Sequence, residues 1–131
     1  LLATFRDVPR LEDPPLLTGR ARFVDDIRPP GTLHAAFLRS SFAHARIVSI
    51  DTATARAAPG VRAVWAAAGI APHLAETRLK VALPSPAFRQ TLDRPILAER
   101  EVVHVGEAVA MVVAEDRYLA EDALALIEVE Y

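Results

Sequence analysis

The chain has 131 residues, 52% of them apolar and 24% charged, which is the composition of a globular domain large enough to bury a core. Fifteen basic residues against seventeen acidic ones leave a formal charge of −2, which excludes the strongly basic surface that binds nucleic acid or anionic membranes. Cysteine is absent, so no disulfide, thiolate metal site or iron–sulfur cluster can form within this chain.

The first predicted element is a short helix near the start of the chain. Asp13 is a favourable N-cap residue, and Pro14 and Pro15 fit the first helical turn, where a missing N–H costs nothing. Gly19 lies where such a helix would end. A run rich in turn residues, 25–31, then leads into the next element.

A strand is predicted from Thr32 to Arg39. Leu33, Ala35 and Phe37 face one way, while apolar residues such as Leu38 face the other. This pattern indicates that both faces are at least partly covered and that the strand is central in a sheet.

A strand–helix–strand unit is predicted next. Arg46 to Ile50 is a strand that ends at Asp51, which is a good N-cap for a helix over 52–58. The Pro-Gly pair at 59–60 ends that helix ahead of a strand over 61–66.

The end of the chain repeats this order of elements. After a bend at Val105 and Gly106, the sequence predicts an apolar strand over 109–114 and an N-cap at Asp116. Apolar residues follow at helical spacing, namely Leu119, Ala123, Leu126 and Ile127. Apolar and acidic residues then alternate over 127–131, which predicts a closing strand.

The middle of the chain has no clear period. Residues 69–98 include four prolines, and a stretch of that length without regular structure is uncommon inside a compact domain. We therefore expect an interface or a covering loop whose order comes from contact with a partner surface. The apolar residues expected to be exposed there are Ile70, Leu74, Leu79, Val81, Leu83 and Phe88. The whole pattern is α+β, with helices on one side of a mixed sheet.

The histidines give no strong metal signal. His34, His44, His73 and His104 are far apart in the chain, and none forms a pair with metal-ligand spacing. The best local pair is His34 with His44 across two neighbouring strands, but zinc needs further ligands and cysteine is absent. We expect His44 to fix the turn between those strands.

Acidic residues offer two adjacent pairs and one single candidate. Asp25-Asp26 and Glu115-Asp116 are adjacent, whereas general acid–base catalysis needs two groups that converge on one cleft. Capping and turn roles account for Asp26 and Asp116. Glu107 is the stronger candidate for acid–base catalysis, because it follows a glycine bend ahead of an apolar strand, where a carboxyl group is expected to be buried.

Other common site patterns are missing from the sequence. The serines lie in no Gly-x-Ser-x-Gly turn, and the five glycines form no dinucleotide or phosphate loop. Arg20, Arg22 and Arg28 can bind an anion, although intramolecular ion pairs with nearby acidic residues are the favoured alternative.

No apolar run approaches the roughly 18 residues that a membrane-spanning helix needs. Even the apolar residues 108–114 are bounded by Glu107 and Glu115. A cytoplasmic location is the default expectation. Because the first residue is leucine, the sequence leaves open whether a further segment precedes it.

Three blocks of the chain together resemble the N-terminal domain of the molybdenum hydroxylase large subunit, the family of xanthine dehydrogenase, aldehyde oxidase and carbon monoxide dehydrogenase. The blocks run from Arg10 to Asp26, from His34 to Asp51 and from Val105 to Asp122, in the family's order. The resemblance covers the chain from about Val8 onward. Ala21 and Ala108 stand where the family usually has glycine and proline.

The resemblance implies the α/β hammerhead fold, as a single domain over residues 1–131 that is the N-terminal domain or a fragment of a larger molybdopterin-binding subunit. It implies an oxidoreductase that hydroxylates an aldehyde, a heteroaromatic ring or a related carbon with oxygen derived from water. By resemblance, molybdopterin-bound molybdenum lies in the later domains of the large subunit. FAD and iron–sulfur clusters lie in partner subunits or domains.

The same resemblance implies that this chain contributes a scaffold. We expect it to contain no catalytic, cofactor-binding or metal-binding residue and to be inactive in isolation. The family's glutamate base belongs to a later part of the large subunit, so its role is not transferred to Glu107. The alternative is a standalone, non-catalytic binding or assembly module derived from the same domain.

Overall fold

The computed structural model describes residues 10–81, 87 and 89–131. The described residues fall into two compact units, which divide between Thr32 and Leu33. The first unit contains helix α1, Asp13–Leu17, and one 3₁₀ turn, Val24–Asp26.

Helix α1 ends as the sequence predicted but begins differently. Gly19 has a φ of +66°, which favours glycine, and its N–H donates to the Leu16 carbonyl at 3.2 Å. Asp13 was predicted as the N-cap and is instead the first helical residue, after Glu12. Its carboxylate therefore favours the helix through the dipole of the first turn rather than through a capping hydrogen bond.

Together with a 3₁₀ turn over Ala71–His73, the second unit holds all strands and the other α-helices of the described chain. They are β1 (His34–Arg39), β2 (Ala45–Arg46), β3 (Ser49–Asp51), α2 (Ala53–Ala57), β4 (Val61–Ala66), α3 (Ala67–Ile70), β5 (Arg78–Leu79), β6 (Arg94–Pro95), β7 (Glu101–Val102), β8 (Ala108–Ala114), α4 (Arg117–Leu124) and β9 (Glu128–Glu130). Across the described residues, no helix is long and apolar enough to cross a membrane.

The strands pair in one three-stranded sheet and three two-stranded sheets. The three-stranded sheet has the order β1-β8-β4, and the other pairs are β2-β7, β3-β9 and β5-β6. Every pairing is antiparallel. The α+β class is confirmed, but the pairings described here are antiparallel where a mixed sheet was expected. The reason is that β3 and β4, on either side of α2, pair with different strands and so form no parallel crossover.

The predicted strand over 61–66 is confirmed as β4. The predicted strand from Arg46 to Ile50 divides into β2 and β3, because its two ends pair with different partners, β7 and β9. Asp51 was predicted as the N-cap of a helix over 52–58, but α2 spans Ala53–Ala57 and its N-cap is Thr52. Asp51 lies one residue earlier, and its carboxylate still accepts the Ala53 N–H at 2.8 Å.

Strand β8 occupies the centre of the main sheet. It pairs with β1 through contacts such as Phe37 opposite Met111, and with β4 through contacts such as Trp65 opposite Met111. Strand β1 was expected to be central and lies at the edge instead. The longer, continuously apolar β8 is the strand whose two edges are both hydrogen-bonded.

One face of this sheet is fully covered along its central strand, β8. Ala110, Val112 and Ala114 of β8 are 0% exposed, and they pack in one cluster with residues of α2 and α4. The buried members of that cluster are Ala55, Val64, Ala110, Val112, Ala114, Ala120, Ala123 and Ile127.

The opposite face of the same sheet is much less covered. Strand parity and register place six apolar side chains on it, Ala35, Phe37, Ala63, Trp65, Met111 and Val113, which we call the open sheet face. Ala35 and Phe37 are exposed, and the other four are half-buried. Val109 lies on this side too, but it is buried in a second cluster with Ala98 and Val102. Both faces of β1 were expected to be at least partly covered. Ala36 and Leu38 are half-buried on one face, whereas Phe37 remains 40% exposed on the other.

The end of the chain follows its sequence pattern, except that α4 ends at Leu124, so Leu126 and Ile127 lie beyond the helix and Leu126 is exposed. Asp116 caps α4, and its Oδ1 accepts the Leu119 N–H at 2.9 Å. In the closing strand Ile127 is buried and Val129 is half-buried, while the glutamates face solvent. The Tyr131 ring contacts the Phe42 ring, with centroids 4.8 Å apart.

The stretch over 69–98 has more structure of its own than expected. Strands β5 and β6 pair within it, and Leu97 and Ala98 are buried in the domain. Ile70 and Leu74 are half-buried, whereas Leu79 and Val81 are exposed as predicted. Leu83 and Phe88 lie outside the described residues. The ends of this stretch thus belong to the domain itself.

Replacement of the capping residue Asp116 with alanine is expected to lower the free energy of unfolding by about 1 kcal/mol, because the Leu119 N–H loses its acceptor. Asp116→Asn should cost less, since an amide oxygen can still accept. Denaturant titration of each variant measures the change. The exposed Asp122→Ala in the same helix is the control and should stay within about 0.5 kcal/mol. Equal stability of all four proteins would contradict the cap.

Replacement of Gly60 with alanine is expected to be destabilising for two reasons. Gly60 has a φ of +74°, and an added Cβ would lie 2.5 Å from Leu119 Cδ1. The backbone conformation alone costs about 1 to 2 kcal/mol for an L-residue. Gly69→Ala is the matched control, because its Cβ would meet Trp65 Cδ1 at an ordinary 3.5 Å. Thermal unfolding midpoints compare the two, and a Gly69 variant as unstable as the Gly60 variant would refute the backbone argument.

Candidate functional site

The histidines that the sequence singled out have separate surroundings. His44 Nε2 lies 2.9 Å from Glu101 Oε2, which links the residue before β2 to β7. His34 lines a groove between β1 and α4, beside Arg117 and Glu121. The sequence predicted that His44 fixes the turn between β1 and β2, whereas its contact with Glu101 joins it to β7. Among the described residues, no three histidine or acidic side chains are grouped so that they could hold a metal ion.

Glu107 supports the backbone ahead of β8. Its Oε2 accepts the Val103 N–H at 2.6 Å, and its own N–H donates to the His104 carbonyl at 3.3 Å. The Glu107 carbonyl accepts the Ser40 N–H at 2.9 Å. The half-buried carboxylate thus stabilises the turn that leads into the central strand. Its Oε2, which accepts the Val103 N–H, has a structural role.

Ser40 is a structural residue that the sequence pattern did not reveal. It is 3% exposed, and its Oγ accepts the Phe42 N–H at 3.0 Å. Its carbonyl accepts the Gly106 N–H at 2.8 Å. Ser40 therefore joins the end of β1 to the bend before β8. The only sequence signal was a serine directly after a strand, a position where hydroxyls often bond the local backbone.

The adjacent acidic pairs diverge rather than converge. Asp26 Oδ2 accepts the Phe23 N–H at 2.9 Å within its own turn. Glu115 forms an ion pair with Arg62, while its neighbour Asp116 caps α4. The two members of the second pair thus have different partners, so this pair does not form a two-carboxylate catalytic centre.

The sequence allows the arginines of the first unit to be an anion site or, as the favoured alternative, ion-pair partners. For Arg20 the structure gives a local partner of another kind, because its Nε donates to Thr18 Oγ1 at 3.1 Å. This contact holds Arg20 against the end of α1.

An open cleft of about 520 Å³ lies beside β5, β6 and β7. Its charged lining is mixed, with Arg78, Asp93, Arg94, Glu99, Arg100, Glu101, His104 and Glu107. Three of the carboxylates are already engaged: Asp93 accepts the Val81 N–H, Glu101 bonds His44 and Glu107 accepts the Val103 N–H. The cleft is suited to polar contacts with another surface. Sequence reasoning missed it because its lining residues converge only through the pairing of short strands.

Comparison with known proteins identifies the fold and the family. Residues 18–131 match the family described as aldehyde oxidase and xanthine dehydrogenase, a/b hammerhead domain. The chain is 44% identical over 123 residues to the nicotine 6-hydroxylase large subunit of Paenarthrobacter nicotinovorans, covering 94% of this chain and 15% of that protein. It is 43% identical over 122 residues to the carbon monoxide dehydrogenase large chain of Afipia carboxidovorans, covering 93% of this chain and 14% of that protein.

A solved structure gives the same result. Quinoline 2-oxidoreductase from Pseudomonas putida 86 superposes with a TM-score of 0.85 at 50% identity, over 95% of this chain and 15% of that one. The chain thus spans about 15% of the length of the relatives that it matches. From the family match and these identities, the chain belongs to the aldehyde oxidase and xanthine dehydrogenase family of molybdenum hydroxylase large subunits, whose α/β hammerhead domain it carries.

Proposed function

We propose that this chain is the N-terminal scaffold domain, a single α/β hammerhead domain, of a molybdopterin-dependent oxidoreductase that works in the cytoplasm. The observation that carries the proposal is the family match over residues 18–131, in relatives that are several times longer than this chain. In this proposal the enzyme hydroxylates an aldehyde, a heteroaromatic ring or a related carbon with oxygen derived from water.

The residues of this domain do not fit a molybdenum or iron–sulfur centre. Cysteine is absent from the whole sequence, and the described residues contain no cluster of three histidine or acidic ligands. The most prominent polar side chains, such as Glu107, Ser40 and Asp116, bond the local backbone. We therefore assign the molybdopterin and the catalytic residues to the remaining large-subunit domains, and the FAD and iron–sulfur clusters to partner subunits or domains.

The names of the relatives favour one substrate class. Nicotine 6-hydroxylase and quinoline 2-oxidoreductase, at 44% and 50% identity, are both named for nitrogen heteroaromatic compounds. Carbon monoxide dehydrogenase is similar at 43% identity. We propose a nitrogen heteroaromatic compound as the first substrate to test, with aldehydes, purines and carbon monoxide as the comparison set.

The test compares the 131-residue chain with the complete large subunit purified with its partner subunits. The coding sequence after Tyr131 is expected to continue into molybdenum-binding domains. Elemental analysis should find stoichiometric molybdenum in the complete subunit and none in the 131-residue chain. Dye reduction with quinoline, nicotine, an aldehyde, a purine and carbon monoxide should likewise occur only in the complete complex.

Two results would contradict the proposal. Stoichiometric molybdenum or turnover in the 131-residue chain would show that it is more than a scaffold. A coding sequence that ends near Tyr131 would favour the standalone binding or assembly module instead.

A further inference from the structure

We propose that the open sheet face is the surface on which this domain docks against an apolar surface of the rest of its own large subunit. This inference rests on the proposed function, because it takes the remaining domains as the partner. It adds the docking surface and the side chains at its centre.

The two faces of the sheet have similar chemistry but very different burial. On the covered face Val112 and Ala110 are 0% exposed, beneath α2 and α4. On the open face Met111 and Val113 come from the same strand and are only half-buried. An antiparallel sheet that turns one face to water normally carries polar residues on that face. Apart from Arg39, which strand alternation places on the same side at the end of β1, the paired residues on the open sheet face are apolar, so its composition is that of a face buried against another surface.

The largest side chains of the open sheet face form one row across the three strands. Phe37 lies opposite Met111, and Met111 lies opposite Trp65. Phe37 remains 40% exposed although it is aromatic. Tryptophan and other aromatics dominate the energy of many interfaces, and methionine adapts its shape to a partner. This row is the centre of the proposed contact.

The patch has defined borders. At one end the buried Val109 belongs to the second core cluster. Beside β4 the His73 ring lies 6.0 Å from the Trp65 ring. Beside β1 the Arg39 guanidinium lies 5.9 Å from the Phe37 ring centre and donates to the Gly106 carbonyl at 2.8 Å. The surface is therefore an apolar centre with a positively charged border at Arg39, to which an apolar partner surface with an acidic residue at its margin is complementary.

The rest of the large subunit is the occupant that the comparisons favour. In the relatives this domain makes up about 15% of the chain, so most of the subunit lies outside it. A partner on the same polypeptide acts at a high effective concentration and covers the face continuously. A second copy of this domain, or cover from the same chain outside the described residues, would give different results in the test below.

The test is hydroxyl-radical footprinting of the complete large subunit, read by mass spectrometry of this domain's peptides. Met111 is the single methionine and Trp65 the single tryptophan of the 131 residues, and both react readily with the radical. Tyr118 on α4 is 77% exposed and serves as the internal reference. We expect Phe37, Trp65 and Met111 to react several-fold more slowly in the native subunit than in the denatured one, at a rate independent of protein concentration. Tyr118 should change little.

Three outcomes would overturn the inference. If Phe37 reacts at the rate expected of a 40% exposed side chain, the open sheet face is not covered in the subunit. Protection that grows with protein concentration would assign the face to a second copy. Equal protection in the separate 131-residue chain would assign the cover to that chain itself. Molybdenum analysis of the same sample separates failure of this inference from failure of the proposed function, because a molybdenum-containing subunit with an unprotected face refutes only the docking surface.

A pair of variants gives a second measurement. Phe37 and Leu126 are 40% and 39% exposed in this domain, but only Phe37 lies on the open sheet face. Phe37→Gln should lower the thermal unfolding midpoint of the complete subunit and speed proteolytic release of the domain, whereas Leu126→Gln should change neither. Phe37→Leu should restore most of the loss. Equal effects of the two glutamine variants would refute the docking role. If the Phe37→Gln subunit fails to accumulate, the footprint of the unmodified subunit provides the test.

Discussion

The structure depends on the burial of one strand, β8. Its seven residues are all apolar, so its backbone is stable only where neighbouring strands satisfy both edges and other side chains cover both faces. Strands β1 and β4 supply the two edges. Helix α4, which starts directly after β8 at the Asp116 cap, supplies most of the cover on one face. On the other face Met111 and Val113 are half-buried. The proposed docking surface therefore follows from the same need of β8 to have both faces covered.

The polar residues of the domain are used to hold this arrangement. Ser40 and Glu107 bond the backbone where β1 ends and β8 begins, and Asp116 bonds the backbone where α4 begins. These groups satisfy peptide N–H groups that the ends of helices and strands leave unpaired. A polar group engaged in this way makes the fold rigid, which suits a scaffold for chemistry that takes place elsewhere.

The covered and open faces fit the proposed role of one scaffold domain in relatives named for different substrates. The core beneath α4 is built from small residues such as Ala110, Ala120 and Ala123, which bring the helix close to the sheet. The mixed-charge cleft and the open sheet face lie outside this core and provide two chemically different surfaces. Under the proposed function, this core is kept while the domains that we propose to contact the substrate vary.

The sequence by itself determined the local elements of this protein, and the tertiary structure decided how they pair. The cap at Asp116, the helix end at Gly19 and the strand β4 were predictable because each depends on residues within a few positions of one another. The place of β1 at the edge, the antiparallel pairings and the cleft were not, because they depend on contacts between distant segments, such as His34 with Ala114. Alternation can show that a residue such as Phe37 is apolar on one face of a strand. The tertiary structure decides which face is covered. Helix α4 packs on the face of Ala110 and Val112, and Phe37 stays 40% exposed on the other face because one helix covers only the face on which it packs.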